Sequence, residues 1–433
     1  MKNSSKRVIE VKALARVEGE GALHVTLKDD EIVDLRFQIF EPPRFFEAFL
    51  QGRSYNEVPD ITARICGICP VAYQMSSAHA LEQAFGLKLE EEYAQLRRLL
   101  YCGEWIESHA LHILMLHAPD FFGMSSVLEL NQRFPQVVEQ GLQLKKAGNA
   151  LVTMVGGREV HPINVRVGGF YRAPERKELR ELIPSLKEAR NIAREVLDWV
   201  ADFPFPELEI DYEFVSLKDP REYPMNRGRL VSNKGIDICA DEFTTVFEER
   251  QVEHSNALHC LRRDTGGSYQ VGPLARFNLC FDQLPASLQK IAAERGFTPP
   301  CNNPFKSIIA RALETLYACQ EALRIIESYQ RPDRPYLEPD IKAGSGSWFT
   351  EAPRGILFHS YDVDENGLIK RAEIIPPTSQ NQARMEDDLR RLIPTLLHLP
   401  TEEMRAQCEQ AIRNYDPCIS CATHFLRLDI ERL

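Results

Sequence analysis

The chain has 433 residues, 44% of them hydrophobic and 27% charged. That is the composition of a globular protein long enough to bury one large core or two to three ordinary ones, and it excludes disorder as the main state. The formal net charge is −11 and the basic residues are scattered along the chain, so the basic stripe of a nucleic-acid binder is missing and nucleic acid is not expected as a partner. No window reaches about 18 consecutive apolar residues. The most apolar helical stretch, Leu99 to Met115, is interrupted by Glu104, Glu107 and Ser108, so no membrane span is expected. The opening MKNSSKRVIEVKALARVEGEG lacks the apolar h-region of a secretory signal, which favours the cytoplasm.

Along the chain, the first 40 residues read as strands. VIEVKAL is followed by GALHVTLKDDEIVDLRFQIF, where Lys28, Asp29, Asp30 and Glu31 between two alternating apolar runs suit a hairpin turn. After Pro42 and Pro43 the period lengthens. RFFEAFLQGR, PVAYQMSSAHALEQAFG, EEEYAQLRRLLYCGEWIESHALHILMLHA and FPQVVEQGLQLKKAGNALVTMVGG place apolar residues at helical spacing. Between about 204 and 300 the helical signal fades. FPELEIDYEFVSL and GRLVSNKGIDICADEF read as short strands and GGSYQVGPLARF as irregular. Helices resume in SIIARALETLYACQEALRIIESY. GILFHSYDVDENGLIKRAEIIP then predicts a hairpin around Glu365, Asn366 and Gly367, and RMEDDLRRLIPTLLHL and EEMRAQCEQAIRNY close the helical part. The expected fold is α+β and predominantly helical, with peripheral β-hairpins. A single domain over 1–433 is expected, with a hairpin region at 1–41 and a smaller mixed excursion at 204–300.

Eleven cysteines in a chain of this length, without a signal peptide, do not suggest a disulfide framework. Seven are isolated, at 102, 239, 260, 280, 301, 319 and 408, and are expected to be small buried core residues. The other four form two C-x-x-C pairs, Cys66 and Cys69 in RICGICP and Cys418 and Cys421 in DPCISC. Four thiolates at that spacing suit a metal. A structural zinc, a redox dithiol and unrelated buried thiols are the alternatives, although zinc ribbons usually draw both pairs from within a few dozen residues. Pro70 opens a helix directly after Cys69, so both thiols lie near a helix N-terminus, where the dipole favours thiolate. Pro417 places Cys418 on a stiff turn after Asp416.

The segments ARVEGEG, RICGIC, GGREVHPINVRVGG, EAPRG, IIPPTSQN and DPCISCATH resemble, in the same order, the signature segments of the large subunit of nickel-iron hydrogenases. They run from residue 15 to 424. The wording RICGICPVAYQMS is most similar to the cytoplasmic, multi-subunit, soluble branch that couples dihydrogen to NAD(P) and sometimes to sulfur reduction. Where the family usually has His four residues after the second Cys, this chain has Tyr73.

The resemblance implies a nickel-iron centre whose iron carries carbon monoxide and two cyanides. Cys66 and Cys418 are its terminal nickel ligands and Cys69 and Cys421 its bridging ones; soft thiolates suit nickel. It implies that Arg354 of EAPRG holds its guanidinium over the open face with Pro353 packed beside the diatomic ligands, and that Thr378 donates a hydrogen bond to a cyanide. The family often has an acidic residue where this chain has Ser108, so Arg354 is expected to be held mainly by Asp416. His109 and His112 are expected to be core histidines rather than ligands. A magnesium site is implied at Glu47, the backbone carbonyl of Ile374 and His424.

The activity implied is reversible heterolysis of dihydrogen, with Cys418 or Arg354 taking the proton and Glu18 relaying it outward. No cysteines remain in a cluster-like spacing, so an iron-sulfur small subunit is expected, with flavin and iron-sulfur subunits that reach NAD(P). Nickel-insertion factors and a maturation protease that removes residues 425–433 are implied as further partners. A hydrogen-sensing regulatory subunit and a non-catalytic homologue of the complex I type are the alternative readings.

Overall fold

The computed structural model describes residues 6–42 and 44–423. The chain begins with an antiparallel meander of β1 (Lys6–Val11), β2 (Gly21–Lys28) and β3 (Glu31–Ile39). Lys28 pairs with Glu31 across a two-residue turn in which Asp29 and Asp30 both take positive φ, the conformation that matches the right-handed twist of the flanking strands. Alternation puts Leu23, Val25, Leu35 and Phe37 on one buried face.

The helical run follows, but not always at the expected length. The RFFEAFLQGR segment is helical only over α1 (Phe46–Leu50). Helix α2 (Pro70–Phe85) starts with Pro70 at its first position and Cys69 as its N-cap residue, as the Cys-Pro sequence predicts. Helix α3 (Glu91–Leu111) is buried on nearly every side, and α4 (Pro135–Gly156) lies against it. The two approach closely because glycines face each other: a Cβ on Gly103 would sit 2.8 Å from Val152, and one on Gly148 would sit 2.7 Å from the Gly103 carbonyl oxygen. No single helix among the described residues is long and apolar enough to cross a membrane. Helix α5 (Ile183–Ala201) completes this layer.

The 204–300 region departs from expectation in both directions. Of FPELEIDYEFVSL only β4 (Val215–Lys218) is a strand, joined by β5 (Arg229–Ser232) and β6 (Asp237–Ile238). A second hairpin, β7 (Phe247–Val252) and β8 (Ser255–Arg262), follows. The stretch expected to be irregular, GGSYQVGPLARF, instead opens helix α6 (Pro273–Cys280), with Gly272 before it and Pro273 at its first position. Cys239 is exposed, whereas the other six isolated cysteines are buried; it follows a two-residue edge strand whose Ile238 faces the core, so the next side chain turns outward.

Helix α7 (Ser307–Ser328) runs through the core. A three-stranded antiparallel sheet follows, β9 (Gly344–Ala352), β10 (Gly355–Val363) and β11 (Ile369–Ile375). The β10–β11 turn contains Gly367 at φ 76°, as expected. Strand β9 is unannounced by its Gly-Ser-Gly-Ser opening, but those small residues let it lie on α2: a Cβ at Gly346 would come within 2.0 Å of the Ala80 carbonyl oxygen. Helix α8 (Pro377–Leu392) begins seven residues before the expected RMEDD segment, and α9 (Thr401–Arg413) follows. Met385 and Leu389 of α8, Met404 and Ile412 of α9 and the inner face of the N-terminal sheet share one apolar cluster with Ile419. That packing places the C-terminal cysteine segment against the first strands.

Candidate metal centre

Each half of the site is shaped locally before the halves meet. Cys66 ends a 3₁₀ turn in extended conformation and its sulfur accepts the backbone N–H groups of Ile68 at 3.3 Å and Cys69 at 3.2 Å. Cys418 follows Asp416, held at φ 51°, and its own N–H donates to the Thr378 hydroxyl at 3.1 Å. Residue 18 pairs with residue 418 in a parallel bridge, sealed by the Ile419 N–H on the Glu18 carbonyl at 3.0 Å. Only glycine fits beside it, since a Cβ at Gly19 would lie 2.7 Å from Ile419, at a φ of +86°.

The four sulfurs converge. Cys66 and Cys69 are 2.9 Å apart, as are Cys418 and Cys421, while Cys66 lies 3.5 Å from Cys418 and Cys69 lies 4.0 Å from Cys421. All four are buried and none is in a disulfide. Burial opposes ionisation of Cys66, yet hydrogen bonds from Cys418, Cys421 and Cys69, and then the Arg354 charge, hold its pKa well below the ordinary thiol value. Cys418 is pushed well up, first by its bond with Cys421.

Around the sulfurs the structure brings together most of the residues singled out in the sequence. The Glu18 carboxylate accepts the Cys418 thiol at 3.1 Å, the Ser420 N–H at 3.1 Å and the Ser420 hydroxyl at 2.5 Å. Arg354 is buried and held by Asp416: Nε donates to the carbonyl oxygen at 2.7 Å and Nη2 to Oδ1 at 3.1 Å. Burial works against the Arg354 charge, but Asp416 and then the cysteines hold its pKa well above the usual value. Its Nη1 and the Asp416 Oδ2 are buried without hydrogen-bond partners. Ser108 is buried and its hydroxyl makes no bond. Tyr73 is buried edge-on to His359, ring centroids 5.7 Å apart. Pro353 presents its carbonyl to Arg276. Glu47 meets Ile374 through the Ile374 backbone N–H, 2.7 Å from Oε1. His424 and the 425–433 peptide lie outside the described residues.

The profile of the nickel-dependent hydrogenase family matches residues 44–142 and 262–424. The chain belongs to that family. It is 33% identical over 425 residues to sulfhydrogenase 1 subunit alpha of Pyrococcus furiosus, covering 97% of this chain and 98% of that one. It is 30% identical over 472 residues to the NAD-reducing hydrogenase HoxS subunit beta of Cupriavidus necator, covering 97% and 95%. Among solved structures, an NAD⁺-reducing NiFe-hydrogenase in the H2-reduced state superposes with a TM-score of 0.89 at 27% identity, over 98% of this chain and 100% of that one. The fold is also that of the Desulfomicrobium baculatum NiFeSe-hydrogenase, at a TM-score of 0.77 and 22% identity over 97% and 100%.

The residues of this hydrogenase chain fit a nickel-iron centre on their own chemistry. Four convergent soft donors are what a thiophilic transition metal requires, and a buried cationic donor left unpaired at Arg354 Nη1 suits an anionic or diatomic ligand beside it.

Two supports of the hydrogenase site were not foreseen. Arg44 Nη2 donates to the Ile65 carbonyl at 2.7 Å and also to that of Ser420, so one guanidinium ties the two cysteine segments together. Arg276, fully buried, pairs with Glu314 through Nε and Nη2, both at 2.7 Å, and with Glu351 at 2.7 Å, and donates to the carbonyls of Ala352 and Pro353 at 3.0 Å each. It thereby fixes the turn that carries Arg354. Helix α6 reaches that turn because Gly272 has no Cβ; one would lie 2.7 Å from the Arg354 carbonyl oxygen. His109 closes the network on Glu314 at 3.0 Å, and His112 bonds the Arg413 carbonyl at 2.8 Å; both are buried, as core histidines. No sequence motif marks Arg276 or Arg44, because each acts through residues distant in the chain.

Proposed function

We propose that this chain is the dihydrogen-splitting large subunit of a soluble, cytoplasmic hydrogenase complex. The observation that carries the reading is the convergence of four buried thiols with a carboxylate on one of them and an unpaired guanidinium N–H beside them. Cys66 and Cys418 would hold nickel terminally, and Cys69 and Cys421 would bridge it to an iron bearing carbon monoxide and two cyanides. When bound, the centre supplies Lewis acidity and redox capacity for heterolysis of dihydrogen. Pro353 would pack beside the diatomic ligands, and Thr378, whose oxygen already accepts the Cys418 N–H, would keep its own proton to donate to a cyanide.

The proton is handled by the protein. Cys418 Sγ would take the proton, with Arg354 as the alternative. The Glu18 Oε2 within 3.1 Å of Cys418 Sγ accepts a proton from the thiol and, being half-buried, passes it toward solvent. Burial of Arg354 and Asp416 excludes bulk water and keeps the guanidinium aimed by its two bonds to Asp416.

Electrons leave through an iron-sulfur small subunit. The relatives named sulfhydrogenase alpha subunit and NAD-reducing hydrogenase beta subunit support onward transfer to NAD(P) or sulfur, which flavin-containing subunits would carry out. Glu47, the Ile374 carbonyl and His424 would hold magnesium. Nickel-insertion factors and a protease cutting after His424 would complete maturation, and residues 1–433 would form one domain before that cut. The test is metal analysis with infrared spectroscopy of the purified complex. Nickel near one per large subunit, with carbon monoxide and cyanide stretches, is expected; absence of both nickel and the diatomic bands overturns the reading.

A further inference from the structure

Away from the four thiols, a second group of metal-competent side chains is assembled from two distant parts of the chain. His254 lies in the β7–β8 turn, His259 in β8 and Glu386 in α8. One ligand atom from each lies within 4.8 Å of the others. His254 Nε2 is 2.7 Å from Glu386 Oε1, and that oxygen also accepts the Phe37 N–H at 2.9 Å. His259 is 5% exposed and its Nε2 has no hydrogen-bond partner.

We propose that His254, His259 and Glu386 form a second metal site, for one divalent ion of the zinc class, that clamps the β7–β8 hairpin to helix α8. Two imidazoles and a carboxylate are a recurrent borderline-soft donor set, with a water completing the tetrahedron. Ligand atoms around zinc lie about 3.3 Å apart for bonds of about 2.0 Å, so His254 and Glu386 need only a small parting and His259 a small approach. The His254 side chain is 20% exposed, which leaves solvent access for the fourth ligand.

Two further features favour a metal over a plain histidine–carboxylate hydrogen bond. That bond satisfies His254 and Glu386 but leaves the buried His259 nitrogen unpaired, which is costly; a cation satisfies all three. The Glu386 carboxylate is also already oriented by the Phe37 N–H, the kind of outer bond that fixes metal-ligating carboxylates. The clamp would matter to the catalytic centre through α8, whose first turn carries Thr378, the acceptor of the Cys418 N–H.

The test is made on the whole purified complex, dialysed against micromolar zinc and then metal-free buffer, with zinc, nickel and iron measured in the same digest. Wild type is expected to hold about one more zinc per large subunit than His259→Ala, and Glu386→Gln, which keeps an acceptor for Phe37 N–H, should match His259→Ala. Cobalt loading should add visible absorption in wild type that both variants lose. Equal zinc in wild type and in both variants, with no cobalt bands, overturns the proposal. If His259→Ala fails to accumulate, the Glu386→Gln comparison alone decides. Nickel in the same digest reports on the four-cysteine centre, so failure of one reading leaves the other distinguishable.

Discussion

Arg354 grips Asp416 at two points, its Nε on the backbone carbonyl at 2.7 Å and its Nη2 on the side-chain Oδ1 at 3.1 Å. The guanidinium is therefore aimed by the residue two positions before Cys418 rather than by helix α3, where Ser108 offers no charge. Lysine cannot make both bonds from one planar fork. Arg354→Lys is expected to lower dihydrogen oxidation roughly 100-fold while nickel, iron and infrared bands stay intact. Asp416→Asn, which keeps the backbone bond, should cost less. Activity with an artificial acceptor, read beside the infrared spectrum, checks the order.

Glu18 accepts from both Cys418 and Ser420, and Gln can occupy the same space without releasing a proton. Glu18→Gln should leave the centre assembled and reduce both dihydrogen oxidation and hydrogen–deuterium exchange by about 100-fold or more. Wild-type rates in both assays would mean the proton leaves by another route.

Arg276 pairs with two buried carboxylates and holds two carbonyls next to Arg354. Removing one partner of a buried pair strands the other charge, at a cost of about 3–5 kcal/mol. Arg276→Met should therefore lower the denaturation midpoint sharply and reduce activity in whatever protein accumulates. Arg44→Met, which breaks only the tie between the two cysteine segments, should act mainly on nickel retention during dialysis against a chelator.

Glu82 is buried and paired twice with Arg97, at 2.6 and 2.8 Å. Burial opposes its charge, but Arg97 overcomes that and lowers the pKa from 4.5 to about 2. A carboxylate depressed in the folded state contributes stability that is fully present above its unfolded pKa and is lost as pH falls toward the folded one. The contribution is roughly 3 kcal/mol at neutral pH, and the window is from about 4.5 down to about 2. Glu82→Gln should flatten the acid limb of a stability–pH curve in that window and lower stability at pH 7, which chemical denaturation at several pH values measures.

The local chemistry of this protein was legible in its sequence. Cys69 before Pro70 announces a thiol at a helix start, Asp29-Asp30 and Asn366-Gly367 announce hairpin turns, and the two C-x-x-C pairs announce a soft-donor site, because each depends on neighbours within a few residues. The irregular reading of GGSYQVGPLARF failed for the converse reason: the helix that begins at Pro273 is held by the packing of α6 near the Arg354 turn, which no local pattern records. Tertiary structure alone decided which distant groups meet. Arg276, Glu314 and Glu351 carry the composition of surface residues, and only the packing of α6, α7 and β9 makes them buried partners; Arg44 likewise reaches the carbonyls of Ile65 and Ser420 only in the folded chain. The same holds for Glu18, whose segment between β1 and β2 reaches Cys418 because Gly19 permits a close approach to Ile419, and for His254, His259 and Glu386, which lie on a hairpin and a helix more than a hundred residues apart. Contacts across such separations are set by which apolar faces bury each other, and that is a property of the folded whole.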